Sequence, residues 1–158
     1  MIEISRIDTQ FEDWDGLLAL IMSAFAYMDD VIDPPSSAHR LTVSSLREKA
    51  AQEIAYVATE DGRLLGCVFC RPEPDNLYIG KLAVSPEAQG KGIGLRLLQT
   101  AEREAHDLGL PLLRLETRIE LTGNHRRFAA WGFARTAEKS HPGYDRVTFI
   151  EMQKPLSR

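Results

Sequence analysis

Little in this chain points toward a metal, a membrane or a nucleic acid. Cysteine is scarce: the 158 residues hold two, Cys67 and Cys70. That excludes a disulfide framework, and the C-x-x-C they form has no second pair or histidine cluster to complete a metal site. Both sit in the apolar run from Leu64 to Cys70, where residues three apart face opposite sides of a strand. The expectation is two buried strand thiols and no metal. Positive charge is also short: 19 Lys and Arg stand against 23 Asp and Glu, a formal net charge of −4. A nucleic-acid-binding surface is usually basic, so that class is set aside. No apolar run approaches the length of a membrane span, and the mixed stretch from Met1 to Ile7 does not read as a signal peptide. A cytoplasmic location with no membrane partner is the expectation. No repeat, low-complexity tract or linker divides the chain. With 44% hydrophobic and 27% charged residues, one domain over residues 1–158 has enough apolar material for a real core.

What is present is an ordered alternation of strand and helix signals. Ile2, Ile4 and Ile7 suggest a first strand. Trp14 to Met28 reads as a helix burying Leu17, Leu18, Ile21, Met22 and Phe25. Pro34 and Pro35 forbid its continuation, so a long loop follows. Ser45-x-x-Glu48 suggests a capping box for a second helix. Ile54 to Thr59 and Leu64 to Arg71 read as strands joined by an Asp61-Gly62 hairpin turn, with Pro72 and Pro74 ending the second. Leu77 to Val84 and Leu112 to Thr117 are strands on either side of a long helix, a crossover that implies a parallel pair. Asn124 to Trp131 reads as a short helix, ended at Gly132-Phe133. Two last strands fall near Ala134 to Glu138 and Arg146 to Met152. The pattern alone gives an α/β or α+β domain.

The densest information lies between Leu77 and Gly109. An apolar strand breaks at Ser85-Pro86, three glycines follow in Gly90-Lys91-Gly92-Ile93-Gly94, and a helix starts with Ile93, Leu97, Leu98, Ala101, Ala105 and Leu108 on one stripe. Gly109 and Pro111 stop it. A helix start presents free N–H groups and partial positive charge, and glycines let an anion approach them. The nucleotide P-loop is excluded because Gly92, not Ser or Thr, follows Lys91. The dinucleotide fingerprint is excluded because its third glycine would come one residue too early.

Gln89, Gly92 and Gly94 do fill the pattern Q/R-x-x-G-x-G/A, after a Leu82-Ala83-Val84-Ser85-Pro86 strand end. This resembles the acyl-coenzyme A signature of the GNAT N-acyltransferase superfamily. The resemblance implies a mixed central sheet of about seven strands, with flanking helices and a parallel pair that splays apart. It implies acetyl-CoA as cofactor, held by backbone at Leu82, Ala83 and Val84. It also implies a pyrophosphate cradled by Gln89, Gly90, Lys91, Gly92, Ile93, Gly94 and Leu95. Lys91 is equally well read as solvated. Asn124, at the start of the short helix, is either a cofactor contact or an N-cap, and Phe128 falls on the same wall.

The resemblance also implies proton carriers that this sequence lacks. Many relatives place a tyrosine four residues before the Gly-Phe pair, where this chain has Phe128. Many place a glutamate on the strand before the glycine loop, where Leu77 to Leu82 contains no carboxylate. Tyr144 is the expected substitute acid, with Glu116 or His125 as base. Tyr78 has the wrong intrinsic pKa for a base, and His141 shares the loop of Tyr144. Phe25, Tyr27, Asp29 and Asp30 are the expected acceptor wall, with Ser36 and Ser37 near it, and an acidic mouth would draw a cationic amine. The expected activity is N-acetyl transfer to a small-molecule or peptide amine, by a monomer or homodimer. The alternative is a non-catalytic acyl-CoA-binding sensor or regulatory module.

Overall fold

The computed structural model describes residues 1–157. Seven strands make one sheet: β1 Glu3–Arg6, β2 Ile54–Glu60, β3 Arg63–Glu73, β4 Asn76–Val84, β5 Leu112–Arg118, β6 Ala134–Lys139 and β7 Phe149–Pro155. They lie in the order β1-β2-β3-β4-β5-β7-β6. Every neighbouring pair is antiparallel except β4 and β5. Four helices accompany them: α1 Trp14–Phe25, α2 Val43–Gln52, α3 Ile93–Asp107 and α4 Thr122–Ala130. This is the mixed sheet with flanking helices that the sequence predicts. No helix is long and apolar enough to cross a membrane among the described residues.

The sheet has a core on each face. On one, Ile93, Leu97, Leu98 and Ala101 of α3 pack on Val68, Leu77, Leu113, Leu115 and Ile150. On the other, Leu17 and Ile21 of α1 and Leu46 of α2 cover Val57, Cys67 and Phe69. Strand alternation puts Cys67 in the second core and Cys70 in the first, as period two requires. Burial pushes each thiol up to about 12, so neither is a nucleophile near neutral pH. The hairpin of β2 and β3 turns at Asp61 and Gly62, with φ of 52° and 79°, the left-handed pair that matches the twist of the strands.

Several boundaries differ from expectation for physical reasons. The first helix ends at Phe25, and Ala26–Met28 tightens into a 3-10 turn. The cap of α2 is Thr42, whose hydroxyl accepts the Ser45 N–H at 3.1 Å while Ser45 Oγ accepts the Thr42 N–H at 2.9 Å. Ser45 is therefore the third residue of the helix, not its cap. β3 continues through Pro72 because β2 begins at Ile54, opposite Cys70. Beyond that point one edge of β3 has no partner, and a missing N–H costs nothing there. Leu108 is 47% exposed rather than on the α3 stripe. The helix closes with the Gly109 N–H on the His106 carbonyl and the Leu110 N–H on Ala105, a glycine-based cap. Leu110 takes the core position instead. The last strand starts at Phe149, three residues after the expected Arg146.

The feature that positions the site is the parting of β4 from β5. They pair only at Leu77–Leu113, Tyr78–Arg114 and Ile79–Leu115. β4 stays on β3 to Val84, with a bulge in which Cys70 faces Ile79 and Phe69 faces Lys81, leaving Gly80 as the extra residue. β5 stays on β7 to Arg118. A bulge bends and twists its strand, and this one sits where the parallel pairing ends.

Candidate active site

Two hollows open at the parted strands. The larger, of about 390 Å3, is walled by the end of β4, the glycine loop, the start of α3 and one face of α4. From Gly80 to Val84 the β5-side edge of β4 has no strand partner. Its N–H and C=O groups are thus free to pair with something else, and leaving them buried and unpaired is costly. Gly90 and Gly92 have φ of 84° and 76°, a region costly for residues bearing a Cβ. A Cβ built on either meets nothing within 4 Å, so the loop borders open space. Gly92 caps α3 with no side-chain hydrogen bond. The first helical bond runs from the Arg96 N–H to the Gly92 carbonyl, so the N–H groups of Ile93, Gly94 and Leu95 precede it, at the positive end of a 15-residue helix.

Leu82 to Val84, Gln89, Gly90 and Gly92 to Leu95 line this hollow, joined by Asn124 and Phe128. Lys91 is exposed and stands outside the lining. Asn124 is the third residue of α4, because the helix starts at Thr122 with Leu121 at the cap. It is therefore no N-cap. Its side-chain amide donates to the Tyr27 hydroxyl at 3.3 Å. Arg127 and Trp131 also line the hollow and went unnoticed in the sequence. Their signal was there: 124, 127, 128 and 131 share one helical face. Phe128 packs edge-to-face with Trp131 and Phe133, at 5.9 and 5.8 Å between ring centres.

The second hollow, of about 180 Å3, shares Phe25, Met28, Leu82, Asn124 and Phe128 with the first. Ser36 and Ser37, Lys81, and the stretch from Leu115 to Arg118 complete most of its wall. Glu116 is already engaged: it accepts from Tyr78 at 3.2 Å and Lys139 at 3.3 Å, and Arg114 lies 3.5 Å away. Burial, then the nearby Glu116, raises the Tyr78 phenol to about 12. The Arg118 guanidinium, on the same wall, donates to the carbonyls of Pro34 and Pro35.

Other expected residues fall elsewhere. Tyr144 lines neither hollow. Its hydroxyl donates to Asp33 at 2.8 Å, a bond that raises its pKa. His125 is the fourth residue of α4, with Nε2 at 2.8 Å from the Arg118 carbonyl. A carbonyl only accepts, so this nitrogen is the donor. His141 bonds Thr148, and burial lowers its pKa. Phe25 and Tyr27 line the larger hollow, whereas Asp29 and Asp30 line neither. Asp29 pairs with His39 at 2.6 Å.

Comparison with known proteins then decides the family. The model of the Acetyltransferase (GNAT) family matches residues 14–133. The chain belongs to the GNAT acetyltransferase family. It is 31% identical over 145 residues to an "IAA acetyltransferase" of Azospirillum brasilense, covering 90% of this chain and 92% of that one. It is also 31% identical over 103 residues to an L-2,4-diaminobutyric acid acetyltransferase of Nocardia farcinica, covering 63% of this chain and 53% of that one. Among solved structures it matches a PaiA N-acetyltransferase of Thermoplasma acidophilum, in complex with coenzyme A, at 18% identity and a TM-score of 0.80 over 98% of this chain and 99% of that one. At that identity the likeness concerns the fold. The Phe128 ring is given over to packing.

Proposed function

We propose that this GNAT acetyltransferase moves the acetyl group of acetyl-CoA onto an amine of a small-molecule acceptor by direct attack, with both substrates bound at once. One observation carries the reading: the two hollows share a wall, Leu82, Asn124 and Phe128, at the point where β4 and β5 part. A donor in one and an acceptor in the other would meet there, and holding reactants in line supplies much of the acceleration. The larger hollow fits coenzyme A chemically. It has a free strand edge for an amide-bearing arm, and a capless helix start with open glycines for a pyrophosphate. Two relatives named as acetyltransferases, one of L-2,4-diaminobutyric acid, support a small acceptor.

When bound, acetyl-CoA supplies a thioester whose carbonyl carbon gains the amine nitrogen as the C–S bond breaks, with one proton lost by nitrogen and one taken by sulfur. The chain's part is to hold and to move protons. Backbone of Leu82 to Val84 would hold the arm, and an N–H at Leu82 would polarise the carbonyl oxygen. The loop from Gln89 to Leu95 takes the pyrophosphate, and Arg127 adds positive charge.

Tyr27 is the proton donor for the departing sulfur. Its hydroxyl accepts from Asn124, which leaves its own proton to give, and it lines the larger hollow with Phe128. Asn124 and Phe128 lie one helical turn apart, so this phenol arrives beside the place the helix leaves without one. Tyr144 serves less well, because its proton is already donated to Asp33. Of the expected bases, Glu116 lines the smaller hollow but is held by Tyr78 and Lys139, and His125 lines neither hollow, so neither is assigned as base.

Calorimetric titration with acetyl-CoA, beside dephospho-CoA and ATP, tests the reading together with thiol release over a panel of amines. Binding near one per chain, weaker for ATP, with amine-dependent release is the expected result. No binding to folded protein would sink it. Binding without release for any amine would favour the sensor alternative instead.

A further inference from the structure

The charges around the smaller hollow do not balance, and the imbalance concerns the acceptor. Lys81 lies on β4 one residue past the Gly80 bulge and lines this hollow. It is half-buried, and no carboxylate lies within ion-pair distance of it among the described residues. Its one hydrogen bond is to Ser37 Oγ at 3.3 Å. Glu53, whose charge acts on Lys81, and Glu116, on the same wall, are both engaged elsewhere. Glu53 is held by Lys49 at 2.7 Å, and Glu116 by Lys139, Arg114 and Tyr78. Arg118, the other cation on the wall, rests on two carbonyls rather than on a carboxylate. Burial, then the Lys49 charge, lowers the Lys81 pKa, the expected consequence of an ammonium with no counter-ion.

A half-buried ammonium without a carboxylate partner bears part of the cost of desolvation; besides Ser37 it has the Phe25 ring, 6.0 Å away, and it lines a cavity. We propose that Lys81, with the Ser37 hydroxyl beside it, anchors a carboxylate of the acceptor. The acceptor is then an amine that also carries a carboxylate, such as an amino acid. Two donors 3.3 Å apart suit the two oxygens of one carboxylate. Phe25, Met28, Ile32 and Leu121 form an apolar part of the same wall that accepts the hydrocarbon portion. The assignment rests on the acetyl-transfer reading above. It also replaces the acidic mouth expected from Asp29 and Asp30, since neither reaches this wall.

The test compares acids with their carboxamides. L-2,4-diaminobutyric acid and the common α-amino acids are each assayed beside the matching carboxamide by thiol release. Their N-acetyl derivatives are titrated calorimetrically into coenzyme A-loaded protein. The expected result is at least one acid favoured over its carboxamide by about tenfold or more in KM or binding. Lys81→Met collapses that ratio to near one, and Lys81→Arg restores part of it. A panel in which no acid surpasses its carboxamide by either readout would overturn the proposal. So would a ratio that survives Lys81→Met in a variant whose coenzyme A affinity is intact. Absence of acetyl-CoA binding in the unaltered protein would instead strike the acetyl-transfer reading, so the two failures are distinguishable.

Discussion

The two hollows are built from different materials. The larger one takes its character from backbone: a strand edge without a partner, two glycines with positive φ, and the first N–H groups of α3. The smaller one is made of side chains brought from five parts of the chain, namely Phe25 with Met28 and Ile32, Ser36 with Ser37, Lys81, Leu115 to Arg118, and α4 with its cap. A backbone site is held by the fold, and few side chains can alter it. A side-chain site is free to vary, which suits a wall that selects one acceptor among many.

Gly92→Val is the largest test of that contrast. Valine at φ 76° costs about 1–2 kcal/mol of backbone strain, and relieving it turns the loop N–H groups away from the anion. An affinity loss for acetyl-CoA of about 100-fold is expected, with thermal unfolding lowered by a few degrees. Lys91→Ala is its counterpart. That side chain is exposed and outside the lining, so affinity should stay within about threefold. If Lys91→Ala matched Gly92→Val, the site would be one of side-chain charge, and the contrast would fail.

That contrast also explains what could be read from the sequence. Gln89 to Gly94 is six consecutive residues, and glycine at a helix start has a direct conformational meaning, so the anion site and its strand were legible. The parallel pair followed from the crossover between Val84 and Leu112. Lys81 was not legible as a wall residue. Its position depends on a one-residue bulge at Gly80, which shifts every later side chain of β4 relative to β3; a glycine within the strand is the only local sign of that bulge, and it does not say which wall Lys81 reaches. The role proposed for Tyr27 as proton donor is not legible locally, because the Asn124 amide bonded to its hydroxyl is 97 residues away. Trp131 and Arg127 were within reach of helical spacing and were passed over.

The proton donor offers a test of intermediate size, and it sets the two tyrosines against each other. Tyr27→Phe removes the phenol in the larger hollow and keeps the ring, so kcat should fall about 10- to 100-fold with little change in acetyl-CoA affinity. Tyr144→Phe breaks a bond to Asp33 on a partly exposed loop, and kcat should change less than about threefold. Single-turnover thiol release separates chemistry from product release in both. The reverse ranking would return the acid to Tyr144 and would mean that the last loop closes over the hollow.

The smallest effect is expected at Asp29. Its carboxylate is 44% exposed and pairs with His39, itself 45% exposed, and neither hollow includes it. Exposed pairs of this kind contribute about 0–1 kcal/mol, so Asp29→Asn should leave stability nearly unchanged. KM should move less than about threefold for any amine, in contrast to the selective loss at Lys81→Met. A large KM rise for carboxylate-free amines in Asp29→Asn would mean that an acidic mouth recruits a cation after all. The charge selection would then sit in the loop after α1 rather than at the bulged strand, because a cationic amine drawn in by Asp29 has no favourable place beside an unpaired ammonium.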